Sequence, residues 1–195
     1  MEEVFTKLYE LLMGIIESSS IYGPLFACFL IMIESILPIL PLFVFITIVF
    51  IAYGYVIGFI ISYILTVIGC SLAFFLCRYI FKDLFKKKVR KNPSFDKIMK
   101  KVDKIKLSTL VTLIVIPFTP AFMINIACAL SDMKYKKFLV AALIGKPFLV
   151  FFWGFIGTSL LESLKNPKIL VLILIMLLIS YIISKILMKK MSLED

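Results

Sequence analysis

The stretch Ile33-Glu34-Ser35-Ile36-Leu37-Pro38-Ile39-Leu40-Pro41 sets two prolines and one carboxylate in the middle of a long apolar run. Each proline removes an amide donor and biases the residue before it out of the α region, so a helix cannot continue across the pair. The apolar arms on either side, Pro24 to Leu37 and Leu42 to Tyr53, are about 10–14 residues each, or about 15–21 Å of helix. Crossing the roughly 30 Å hydrocarbon core takes about 20 helical residues. Neither arm is long enough, and the expectation is a re-entrant hairpin whose tip, carrying Pro38 and Pro41, lies near the midplane. Irregular backbone at that depth is tolerated only inside protein or beside a wet cavity.

The pattern recurs downstream. Pro117-Phe118-Thr119-Pro120 separates Leu107 to Ile116 from Ala121 to Leu130, again two arms too short to span. A long apolar segment follows each pair of arms, Tyr55 to Ile80 and then Phe138 to Leu160, and a third, Ile169 to Leu187, comes after them. A glycine follows the second proline by 28 residues in one copy (Pro41 to Gly69) and by 25 in the other (Pro120 to Gly145). The expected fold is an all-α membrane protein built as a single integral domain. It has two inverted repeats, each a re-entrant helical hairpin plus a transmembrane helix, with an extra C-terminal transmembrane helix and an N-terminal amphipathic helix. The repeats cover about 21–81 and 107–162, the C-terminal helix about 167–189. Broken helices of opposed topology place a transport site at the midplane, where the two tips should meet.

Composition agrees. Of 195 residues, 62% are hydrophobic and 17% charged, too little polar surface for a water-facing globule. With no histidine, neither a His-ligated metal or haem nor a Ser/His relay can be built, and Cys28, Cys70, Cys77 and Cys128 lie scattered in apolar runs without metal-type spacing. No cofactor or metal is expected, and the absence of a nucleophile and base pair argues against an enzyme. The start, MEEVFTKLYELL, has no basic n-region or small-residue cleavage site, so no signal peptide is expected.

The net charge of +10 comes mostly from residues 82–106, where eleven lysines and arginines stand against Asp83, Asp96 and Asp103. The positive-inside rule makes that loop cytoplasmic. Asn92 and Pro93 start a helix in it, with Phe95, Ile98, Val102 and Ile105 on one face, suited to lie on anionic headgroups of the inner leaflet. No base-stacking pattern accompanies the lysines, so no nucleic-acid partner is expected. Ser131 to Lys137 and the C-terminal tail are also basic, hence cytoplasmic, whereas Met1 to Glu17 is acidic and amphipathic and reads as an interfacial helix on the outer side. The chain is expected in the cell membrane, multi-pass, and its Lys-, Ile- and Phe-rich, Arg-poor composition points to an AT-rich bacterium. A homo-oligomer is left open.

Glu34 is the one acidic residue from Ser18 to Ile80. A carboxylate at depth must be paired, hydrated or protonated, so it is the first candidate for substrate binding. Lys146, within Gly145-Lys146-Pro147 of the second long segment, is its natural partner or a partner for an anionic headgroup. Arg78 near the inner end of its helix, and Asn125 and Thr119 in the second hairpin, complete the candidate set. Gly54, Gly58, Gly69, Gly145, Gly154 and Gly157 are expected at close helix contacts.

In these residues the chain resembles the DedA/VTT-domain superfamily, also called the SNARE-associated Golgi protein family, over about residues 20 to 160. The resemblance is carried by Glu34 before Pro38 and Pro41, by Gly54, Gly58 and Gly69 ahead of Arg78, by Pro117, Phe118 and Pro120 with the later Asn125, and by Gly145 and Pro147 preceding Gly157. It implies lipid translocation, since bacterial relatives are linked to undecaprenyl phosphate recycling or phosphatidylethanolamine flipping and eukaryotic ones to phospholipid scrambling. Many members carry an arginine three residues before the first proline of the second hairpin and another after it. Here Ile114 holds the first place and no arginine lies between Pro117 and Leu130, which departs from the usual phosphate clamp. The resulting expectation is a lipid translocase or scramblase. A proton- or cation-coupled small-solute transporter, or a membrane partner protein without transport, stands as the alternative.

Overall fold

The computed structural model describes residues 22–37, 41–81, 99, 101–119, 121–163 and 167–193. The N-terminal amphipathic segment, Pro38, Pro120 and most of the basic loop lie outside the described residues. The described chain is helical, with no strand among those residues. Its elements are α1 (Tyr22–Glu34), α2 (Leu42–Leu76) continued by a π-helical turn (Cys77–Phe81), α3 (Leu107–Val115), α4 (Ala121–Leu130), α5 (Tyr135–Ser163) and α6 (Pro167–Leu193).

Proline chemistry sets two of the breaks. α1 ends in a tight turn in which Ile36 and Leu37 N–H both donate to the Ile33 carbonyl at 2.9 Å, and α2 starts after Pro41 in an extended conformation (φ −77, ψ 95). α3 stops where Ile116, the residue before Pro117, turns extended (φ −70, ψ 116), as the steric demand of the next ring requires. Pro147, by contrast, sits inside α5, which runs on through it.

A third break owes nothing to proline. Gly54 has φ 77 and ψ 170, and the chain reverses there. A Cβ at Gly58 would lie 2.8 Å from the Cα of Phe50, whereas eight residues of straight helix separate atoms by about 12 Å. The segments 42–53 and 55–76 therefore run back to back. Gly54, expected among the packing glycines, would have nothing within 4 Å of an added Cβ and serves the reversal instead. Its backbone region is essentially open to glycine alone, so Gly54→Ala should lower stability by about 1–3 kcal/mol through strain alone. A thermal melt of the variant in detergent that overlays the wild type would show that the reversal does not depend on glycine.

The other glycines are contact points. A Cβ at Gly69 would meet the Met32 carbonyl oxygen at 2.6 Å, one at Gly145 the Ile114 side chain at 2.7 Å, one at Gly154 the Phe50 ring at 2.5 Å, and one at Gly157 would collide with Thr47 Oγ1. Gly69 and Gly145 thus do the same thing in the two halves, each letting the helix that precedes a proline break lie against a long helix. The core is likewise double. One cluster joins Ile31, Ile46, Val49 and Phe50 to Leu149 and Val150, and the other joins Cys70, Phe74, Ile114 and Cys128 to Phe138 and Ala141. α5 contributes to both.

The polarity of the surface is inverted. Leu25, Phe26, Phe29, Tyr55, Val56, Phe148, Phe151 and Leu178 are exposed, while Ser35, Thr47, Ser62, Thr66, Asn125 and Lys146 are buried. Water-soluble monomers rarely expose so continuous an apolar exterior. Tyr135–Leu160 is long and apolar enough to cross a membrane, and so is the apolar segment Leu42–Ile80, in which the part after the reversal at Gly54 is the longer arm. The C-terminal helix, expected to span, runs Pro167–Leu193, 27 residues or about 40 Å at 1.5 Å per residue.

Candidate functional site

The two proline breaks meet. Glu34 at the end of α1 and Pro41 before α2 line a cavity of about 280 Å³ together with Pro117, Phe118 and Thr119 from the second break and Trp153 of α5. The breaks are also joined directly. Asn125 Nδ2, on the buried side of α4, donates to the Ser35 carbonyl at 3.2 Å, which satisfies a carbonyl that the end of α1 leaves without a helical partner. Beside the open cavity is an enclosed void of about 10 Å³, lined by Cys70, Thr119, Asn125 and Lys146. It has room for about one water. Thr119, Ala121 and Leu149 border both spaces and form the partition between them.

Three polar atoms around this partition have no hydrogen-bond partner: Glu34 Oε2, Thr119 Oγ1 and Lys146 Nζ. Lys146 is 2% exposed. It is not hydrogen-bonded to Glu34, and the two line different spaces on either side of the partition. Buried polar groups are ordinarily satisfied, and an unsatisfied one costs about 1–3 kcal/mol, more when charged. Gly145 explains how Lys146 comes to be there, because its missing side chain lets Ile114 close over α5 and seal the lysine inside.

Arg78 stands elsewhere. Its Nε donates to the Ala129 carbonyl at 3.0 Å and its Nη2 to the carbonyls of Cys128 and Ser131 at 3.1 and 2.8 Å, with the guanidinium 4.3 Å above the Phe74 ring. The last carbonyls of a helix lack intrahelical partners and form the negative end of its dipole. Arg78 therefore caps α4, and it lines neither space at the tips. Glu34, Thr119, Asn125 and Lys146 are brought together; Arg78, expected beside them as a phosphate partner, is not.

Nothing in the sequence pattern singled out the aromatic wall. Trp153 packs near Phe43 and Phe118, with ring centroids at 6.0 and 6.1 Å, and Phe122 joins them in lining the cavity. One signal was available in that Trp153 is the only tryptophan of the chain. A second, larger cavity of about 540 Å³ adjoins the first at Pro117 and runs between α3, α5 and α6, with Phe148, Phe151, Phe155, Met176 and Ile179 on its walls.

A family model described as the VTT domain matches residues 37–159. The chain is also 30% identical over 158 residues to a Bacillus subtilis (strain 168) protein described as "Uncharacterized membrane protein YhjE", an alignment covering 81% of this chain and 76% of the relative. No solved structure matches the chain.

Proposed function

This chain belongs to the VTT-domain family of membrane proteins, and on that footing we propose that it is a lipid translocase or scramblase, which carries a headgroup across the bilayer through the space between two re-entrant hairpins. In this reading α1 with 42–53 forms one hairpin and α3 with α4 the other, each followed by a spanning helix, in two repeats of inverted topology. The matching seats of Gly69 and Gly145 against the arm before each break support the repeat. The protein sits in the cell membrane with the basic loop 82–106 and the C-terminus in the cytoplasm.

One observation carries the proposal: Glu34 Oε2, Thr119 Oγ1 and Lys146 Nζ are buried without partners where the two breaks meet. Holding a charge at the centre of a membrane costs about 2.5–3.5 kcal/mol on insertion scales, and a fold that needed those charges only for stability would pair them. Glu34 reaches the open cavity and meets the headgroup. Lys146 lies behind Thr119 and tunes the field there. The apolar cavity that adjoins at Pro117 favours a lipid over a water-soluble solute, because an acyl chain can lie between α3, α5 and α6 while the head occupies the polar space. No bond is made or broken in such a step, so no catalytic group is required.

The test is transbilayer movement of head-labelled lipids in proteoliposomes. Glu34→Gln, which keeps shape and removes the charge, is expected to slow movement at least about tenfold, equivalent to about 1.4 kcal/mol at the barrier. Equal rates for wild type and variant at equal reconstitution would sink the assignment.

A further inference from the structure

Among the described residues, the space between the breaks holds an acid and no base. Glu34 is the one charged side chain among the described residues lining the cavity of about 280 Å³, while Lys146 lines the neighbouring void of about 10 Å³, too small for a phosphate group. Four of the other side chains around Glu34 are aromatic: Phe43, Phe118, Phe122 and Trp153. The Phe43 ring is tilted at 37° to that of Trp153, and the Phe118 ring lies nearly edge-on to it at 77°. Glu34 Oε2 is buried without a hydrogen-bond partner.

Ring faces are electron-rich and attract organic cations, and a carboxylate adds to that attraction. A bare phosphate brought into the same space would meet that carboxylate and the rings and, among the described lining residues, no cation. We infer that the cavity is an organic-ammonium site, which holds a primary or quaternary ammonium against Glu34 and the face of Trp153. The inference rests on reading this cavity as the substrate site and narrows that reading: a ligand carrying an ammonium is taken, and one carrying phosphate alone is not. Lys146, across the partition of Thr119 and Leu149, offsets part of the Glu34 charge. A transported cation must be held weakly enough to leave again, and that offset supplies the weakness.

Because Trp153 is the only tryptophan in the chain, intrinsic fluorescence reports on this cavity directly. The full-length protein in maltoside micelles is titrated with tetramethylammonium, with short-chain phosphatidylethanolamine, with phosphatidylglycerol of the same chains and with inorganic phosphate. A saturable change is expected with the two ammonium ligands. Equal half-saturation for both assigns recognition to the ammonium itself, as for a soluble cation, and a tighter response to phosphatidylethanolamine assigns it to a lipid headgroup; either supports the site. Saturation by phosphatidylglycerol or phosphate at the same or lower concentration overturns it, as does the lack of a saturable response to both ammonium ligands.

Glu34→Gln is expected to raise half-saturation at least about tenfold, and Phe118→Leu, which keeps the carboxylate, about threefold to tenfold. The wild-type panel decides the matter even where a variant fails to fold. The translocation reading fails separately. Lipid movement unchanged by Glu34→Gln, with an intact ammonium response in the wild type, removes translocation and leaves the site. Anionic lipid moving as fast as zwitterionic lipid, with no ammonium response, removes the site and leaves translocation.

Discussion

A Lys146→Met protein should melt at a higher temperature than the wild type and move lipid headgroups more than tenfold more slowly. The two effects have one origin. Lys146 is 2% exposed and its Nζ has no hydrogen-bond partner, so the folded state carries the cost of removing an ammonium from water without the return of a contact. An unsatisfied buried polar group costs about 1–3 kcal/mol, more when charged, so an apolar side chain of similar length should stabilise the fold, and methionine fills irregular space well. The same change removes the positive charge that lies across the partition from Glu34, so the open cavity becomes more negative and a cationic occupant harder to release. Stability gained with activity lost is the signature of a residue kept for work rather than for the fold. The checks are a thermal melt in detergent and the proteoliposome assay on one preparation. A variant that melts lower would mean that Lys146 is satisfied and structural, and one that melts higher but transports normally would remove it from the mechanism.

The helix breaks could be read from the sequence because prolines act locally. Removal of an amide and exclusion of the preceding residue from helix are properties of the residue itself, so the ends of α1 and α3 and the starts of α2 and α4 follow from Pro41 and Pro117 and their neighbours. Glu34, Asn125, Thr119 and Lys146 were visible for a similar reason: a bilayer penalises each of them, whatever its neighbours. The reversal at Gly54 was less legible, because a glycine in an apolar run signals close packing as readily as a turn, and only the positive φ separates the two. Arg78 misled because a lone cation near a helix end fits a phosphate and a row of helix carbonyls equally well. What tells them apart is the position of Cys128, Ala129 and Ser131, about fifty residues away in sequence. The aromatic wall was hidden among the 19 phenylalanines of the chain. In so apolar a composition, ring content says nothing until three dimensions choose Phe43, Phe118 and Phe122 around Trp153.

The paired glycines offer the sharpest structural test, since the two halves use them alike but with different tolerance. In Gly69→Ala the new Cβ would stand 2.6 Å from the Met32 carbonyl oxygen and 3.0 Å from its Cα, and backbone cannot rotate aside. The end of α1 must move, two residues before Glu34. Overpacking of this kind costs about 1–3 kcal/mol, and contact with backbone puts Gly69→Ala at the upper end, with Glu34 displaced from Phe118 and Trp153. In Gly145→Ala the nearest atoms are Cγ2 and Cβ of Ile114 at 2.7 and 2.9 Å, a side chain at the end of a short helix that can shift by a few tenths of an ångström. Gly69→Ala should therefore melt well below Gly145→Ala, and it should lose the response of Trp153 fluorescence to tetramethylammonium even at temperatures where it remains folded. Gly145→Ala should keep that response, because Ile114 borders the enclosed void and not the open cavity. The reverse order of melting, or a Gly69→Ala protein that binds like the wild type, would show that the seat of α1 on α2 does not position Glu34.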